Sequence, residues 1–152
     1  MRRAIRSERG HAIAEAAFVL PILFVLVFAM FDFGQWELQT TQATNAARDG
    51  ARAGLMAYKT AEGTTSSPGG SGWSTVNSAV AARLAGQSYT LTVACVGGAD
   101  ETTKPCSSAQ PDVDRIKVTV SWTRSSLTPV TNAFGAQQVS GHAVMKVIGV
   151  PE

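Results

Sequence analysis

From Ala16 to Phe31 no residue carries a charge. Counting back across Glu15 to Ala12 gives a stretch of about 20 residues, the length a helix needs to cross a hydrocarbon core about 30 Å thick. A single run of this kind sits poorly in a small water-soluble domain, so it divides the chain. Residues 1–10 read as a basic cytoplasmic leader and residues 11–34 as a transmembrane helix. Residues 35–60 continue that helix, and residues 61–152 form an extracytoplasmic α+β domain.

The charges around the run give it a direction. Arg2, Arg3, Arg6 and Arg9 precede it, opposed only by Glu8. Asp32 and Glu37 follow it, and the next basic residue is Arg48. Basic residues stay on the cytoplasmic side, which puts the N-terminus in the cytoplasm and the C-terminal domain outside the cytoplasmic (inner) membrane. Trp36 stands where an interfacial aromatic anchor is expected, and ordinary packing along the helix is the other reading. A cleaved secretory signal fits less well: the run ends in Ala29-Met30-Phe31-Asp32-Phe33, with no small-x-small site. A twin-arginine signal is equally unsupported, because Arg2-Arg3 is followed by Ala-Ile. Pro21 lies inside the helix and removes the bond to the carbonyl of Ala17, so a kink or a locally melted turn is expected between Ala17 and Pro21.

Composition narrows what the outer part can be. The net charge of +2 over 152 residues gives no reason to invoke nucleic acid. The downstream sequence is rich in Thr, Val and Ser, a bias that suits partly exposed strands. Cys95 and Cys106 are the only cysteines. Outside the cytoplasm a disulfide between them is expected, with free thiols as the alternative. Such a bridge closes a short loop and contributes of order 3 kcal/mol. His11 and His142 lack ligand spacing to the cysteines, so no metal is expected. No Ser/His/Asp set, paired carboxylates or phosphate-binding glycine loop is present, so neither catalytic residues nor a cofactor are expected.

After the apolar run, Ala43, Ala46, Ala47, Gly50, Ala51 and Gly54 recur at spacings that place them on one helical face almost without bulk. Such a face admits close approach, either of the chain's own sheet or of another subunit. Asp49 is within reach of Arg48 or Arg52, an exposed pair contributing about 0–1 kcal/mol. One helix from about residue 12 to residue 58, bent or broken at Pro21 and Gly34, would be about 70 Å long at 1.5 Å per residue. Gly63 to Gly72 reads as a flexible linker, followed by a helix Thr75–Ala85 capped by Ser74 and ended by Gly86. Val76, Ala79, Val80 and Leu84 share its apolar face. Strands are expected at Tyr89–Val96, at Arg115–Thr123 with Ile116, Val118, Val120 and Trp122 inward, and at Gln138–Val147. A polar loop spans Gly97 to Asp112, and a turn or short helix is expected over Leu127–Phe134. The result is an α+β fold: a long N-terminal membrane-spanning helix continuing into a small ectodomain with an antiparallel sheet of about three strands.

Several of these pieces together resemble a known family. Gly10 followed by Glu15 is similar to a prepilin peptidase motif, with a Gly before the cut and a Glu at the fifth mature position. Gly10 through Pro21, Phe31-Asp32-Phe33-Gly34-Gln35 and Ala46-Ala47-Arg48-Asp49-Gly50-Ala51-Arg52 resemble TadE-like pseudopilins of tight-adherence (Flp) pilus systems, type IV pilin-like proteins. The resemblance covers roughly a third of the chain. Ala14 and Ala16 depart from it, standing where Val and an aromatic are more usual.

The resemblance implies cleavage between Gly10 and His11 by a prepilin peptidase, which leaves His11 as a new and often N-methylated terminus. A glycine before the cut fits a protease that must approach backbone closely, and a hinge before the helix is the other reading of Gly10. Glu15 would then meet the amine of a neighbouring subunit and set register, or it would snorkel to the interface. The implied partners are the prepilin peptidase, other pilins or pseudopilins, the Tad assembly platform and membrane lipid. The expected function is that of a minor pilin or pseudopilin contributing to assembly of an adhesive Tad-type pilus. The alternative is an uncleaved single-pass membrane protein with an adhesive or binding ectodomain.

Overall fold

In a computed structural model, residues 5–98, 101–124 and 135–148 are described. The chain divides between Trp36 and Glu37 into two compact units. A single helix, α1, runs from Ile5 to Gly54 and supplies the first unit and part of the second. It passes through Pro21 and Gly34 without a break, so the melted turn expected near Pro21 does not form. Proline removes one hydrogen bond, and the helix is unbroken on both sides of it. The helix also ends earlier than expected. Leu55–Thr60 is a 3₁₀ turn in which Ala57 leaves helical geometry at φ −136°, ψ 33°.

Within the first unit the apolar segment buries nothing. Phe18 is 78% exposed, Met30 75% and Phe31 63%. Phe24 and Phe28 stack one turn apart with ring centroids 6.3 Å apart. Phe33 and Trp36 meet at 5.9 Å.

The second unit is a five-stranded antiparallel sheet with two helical elements on one face. The strands are β1 (Gly63–Thr64), β2 (Thr90–Val96), β3 (Thr103–Lys104), β4 (Arg115–Arg124) and β5 (Gln137–Lys146). Their order is β1-β2-β4-β5, and β3 also pairs with β2. The three long strands fall where alternation places them. The two short ones replace parts of the expected linker and the expected polar loop: Gly63 sits opposite Val93, and Lys104 opposite Cys95. Both short strands lie on the edge of β2 that β4 leaves open. Leu127–Phe134 lies outside the described residues.

Register puts one face inward. Leu91 sits opposite Val120, Val93 opposite Val118 and Cys95 opposite Ile116. Across β4, Trp122 sits opposite Val139, Val120 opposite Gly141 and Val118 opposite Ala143. All of these residues are buried, whereas Thr92, Ser140 and His142 on the other face are exposed. This is the pattern of an antiparallel sheet covered on one side.

The second helix, α2, spans Ser71–Arg83, so its start precedes the expected Ser74 cap. Gly70 takes the N-cap position without a side-chain bond. The Gly72 N–H donates instead to Thr60 Oγ1 at 3.0 Å, a cap supplied from another element. Ser74 lies one turn inside, its hydroxyl donating to the Ser71 carbonyl at 2.7 Å. Gly72 has no room for a side chain, because a Cβ there would strike the backbone of Ala57 and Ala61. Val76, Val80 and Leu84 are buried and Ala79 is half-buried. Gly86 follows at φ +83°, the left-handed region that glycine enters without strain.

Candidate assembly surface

The small-residue face of α1 lies against the sheet and α2. Ala43, Ala46, Ala47 and Ala51 have no exposed surface, and Gly50 and Gly54 are buried. A Cβ added to Gly50 would sit 2.8 Å from Val80 Cγ2 and 3.2 Å from Val76 Cγ1. At Gly54 it would sit 2.7 Å from Ile116 Cδ1. From the sheet side, Gly141 brings the backbone of β5 against Ala43 and Thr44 with no space for a side chain. Removing side chains at this seam brings helix and strand backbones close together, and the face is used up inside the unit. At the rim of this packing Asp49 bridges to Arg83 of α2, with Arg52 3.9 Å away.

Upstream the same helix offers the opposite surface. His11, Glu15 and every residue from Ala16 to Phe31 are exposed. His11 and Glu15 stand four residues apart on one helix face, separated by about 6 Å of rise. Among the described residues Glu15 makes no ion pair or hydrogen bond. Gly10 lies inside α1, so the Gly10–His11 bond is part of a helical turn. Asp32, which ends the uncharged run, is buried although Phe31 and Phe33 beside it are exposed.

The far end of the sheet is held by the expected disulfide and by polar links that the sequence does not announce. Cys95 and Cys106 form a disulfide with Cα atoms 5.0 Å apart, and Tyr58 packs against it. The Cys106 N–H donates to Glu62 Oε2 at 2.9 Å. Asp114 is fully shielded from solvent. Its carboxylate accepts from the Gln110 N–H at 2.7 Å and from Lys104 Nζ at 2.8 Å. These bonds, the backbone one foremost, hold its pKa below the ordinary carboxylate value against the opposing cost of burial. Main-chain bonds from Asp112 N to the Val147 carbonyl and from Val147 N to the Asp114 carbonyl extend the β4–β5 ladder here. The acidic Asp112-Val113-Asp114 segment before a strand is a weak cue. Nothing in the spacing of Lys104, Gln110 and Glu62 reveals their partners.

Among the described residues no cluster of three or more His, Cys, Asp or Glu side chains could hold a metal. The chain thus combines an apolar helix long enough to span a membrane with a small-residue face seated under an antiparallel sheet. The family model described as TadE-like protein matches residues 10–52, which takes in Gly10, Glu15, Pro21 and the Ala46–Arg52 block. The segment is therefore TadE-like, as its motifs indicated, and this family points to a Tad pilus-associated pseudopilin role. No curated protein matches the chain, and no solved structure matches it.

Proposed function

We propose that this chain is a minor pilin or pseudopilin of a Tad-type pilus, released from its leader by a prepilin peptidase cutting between Gly10 and His11. The observation that carries the reading is the uniform exposure of residues 11–31 in a helix whose later small residues are buried. An apolar surface of that extent needs lipid or neighbouring apolar helices. In this reading the N-terminus faces the cytoplasm and the sheet lies outside the inner membrane. Glu15 then recruits the new amine of a neighbouring subunit. That amine is positive near neutral pH, with a reference pKa of about 8. An amine and a carboxylate brought together in low dielectric attract strongly, while either alone is penalised. The peptidase, other pilins and the Tad assembly platform are the partners.

Cleavage requires the turn at Gly10 to open, and glycine lowers the cost, being about 1 kcal/mol less favourable than Ala in a helix interior. Intact mass of the membrane-extracted protein tests the reading. In cells with the peptidase the chain starts at His11. In cells without it, or in a Gly10→Val variant, the leader stays attached. A chain starting at Met1 in peptidase-positive cells leaves the uncleaved single-pass protein as the correct description.

A further inference from the structure

From His11 to Phe31 only His11 and Glu15 carry titratable side chains. Both are exposed, and they lie on one face of α1, a single turn apart. Helical side chains lean toward the N-terminus, so the Glu15 carboxylate reaches back over the turn that carries His11. Among the described residues neither side chain makes an ion pair or hydrogen bond.

In the uncut chain this pair offers a metal two donors, an imidazole and a carboxylate. The backbone nitrogen of His11 is then an amide, its lone pair drawn into the planar peptide bond. Cleavage between Gly10 and His11 turns that nitrogen into an amine, a third donor on the same residue. An amine and Nδ1 of one histidine close a chelate ring on a single ion when χ1 is near about −60°, a rotamer that helices accept. An N-methyl group leaves the amine its lone pair. The cut also takes away Arg2, Arg3, Arg6 and Arg9, whose charge repels a cation, while Glu8 is the only acid lost. Nitrogen donors of this kind suit copper, nickel and zinc, whereas magnesium and calcium prefer oxygen, and Cu²⁺ heads the affinity order. A bound dication would also neutralise Glu15 at the edge of the apolar run, where a lone carboxylate is costly.

We propose that cleavage before His11 creates a Cu²⁺ site from the His11 amine, His11 Nδ1 and the Glu15 carboxylate. It rests on the cut between Gly10 and His11. An ion held there occupies the amine and the carboxylate that pairing between subunits uses, so metal binding and pairing exclude one another.

The test uses the chain from His11 to Glu152 in lipid nanodiscs. Its leader is exchanged for the recognition site of a specific protease that cuts directly before His11, so the new terminus does not depend on the cell's own peptidase. Cu²⁺ alone is titrated by calorimetry and followed by electron paramagnetic resonance. The expected result is one ion per chain with nitrogen hyperfine coupling. Binding should weaken at least a hundredfold in the leader-bearing Gly10→Val chain and at least tenfold in Glu15→Gln, and should be unchanged in His142→Ala. Glu15 and His142 are exposed, so these two variants keep the fold. The proposal is overturned if the chain starting at His11 does not bind Cu²⁺, if the leader-bearing chain or Glu15→Gln binds as tightly, or if His142→Ala abolishes binding. The two readings fail separately: intact mass in peptidase-positive cells judges the cut, and Cu²⁺ titration of the chain starting at His11 judges the site.

Discussion

Two glycines of α1 show how differently one helix is used. Around Gly34 a Cβ would find nothing within 4 Å; around Gly50 it would crowd Val80, Val76 and Val118. The apolar residues from Phe18 to Phe31 are bulky and bare, and the small residues flanking Gly50 are buried. A helix segment can be stable with an apolar surface on all sides only if its surroundings are apolar too. The other segment gives up side chains so that backbones can approach. The same secondary structure therefore answers to two environments, and the change of side-chain size along α1 marks where one gives way to the other.

The largest break in that comparison comes from filling the seam. Gly50→Leu should destabilise the sheet unit by about 3 kcal/mol, the upper end for overpacking, because even its Cβ is crowded. Gly34→Leu should leave the unit as stable as before or slightly more so, since it replaces a poor helix former with a good one in open space. Thermal unfolding followed by near-ultraviolet circular dichroism would separate the two. Equal losses would mean that the two halves of α1 share one environment.

A second effect of similar size belongs to the sheet unit alone. Replacing Cys95 and Cys106 by Ser should cost about 3 kcal/mol by the loop-entropy estimate for the 11-residue separation. Mass spectrometry with and without reductant would report the bridge by a shift of about two daltons, set by the two hydrogens gained when a disulfide becomes two thiols. Proteolysis of the reduced protein should begin near Thr103–Ser108, where β3 and the following turn depend on the bridge. The helix upstream should not respond.

The smallest effect is electrostatic. Asp114 binds its proton less readily in the folded than in the unfolded chain. Its contribution to stability is therefore fully present above the unfolded value of about 3.9 and is lost as pH falls through the lower folded value. Acid titration of the sheet unit should show a downward slope below about pH 4 that flattens in Asp114→Asn. An unchanged slope would assign acid sensitivity to other carboxylates.

Legibility followed locality. The alternation of Ile116, Val118, Val120 and Trp122 located β4 to within a residue, and the small residues from Ala43 to Gly54 announced a close-packed face. Both patterns are local and need no partner to be read. What escaped was supplied from a distance. The start of α2 is set by the hydroxyl of Thr60, so Ser74 looked like the cap only because it is the type of residue that caps. The strand at Gly63–Thr64 exists because it meets Val93 and Thr92, and its Gly- and Ser-rich surroundings look like a linker. Lys104 and Asp114 meet across ten positions with no periodicity to predict it.

The division of α1 between two environments is tested most directly by nitroxide scanning from Ile13 to Gly54 in lipid nanodiscs. Oxygen and a water-soluble relaxant are the two probes. Positions 13 to 31 should all be open to oxygen and closed to the water-soluble probe, with no 3.6-residue oscillation. From Ala43 on, labels are confined to the outward positions Asn45, Arg48 and Arg52, since the buried face has no room for a label, and these should be open to the water-soluble probe. A 3.6-residue oscillation that continues unchanged through Ile13 to Phe31, or access of the water-soluble probe to that segment, would contradict the account.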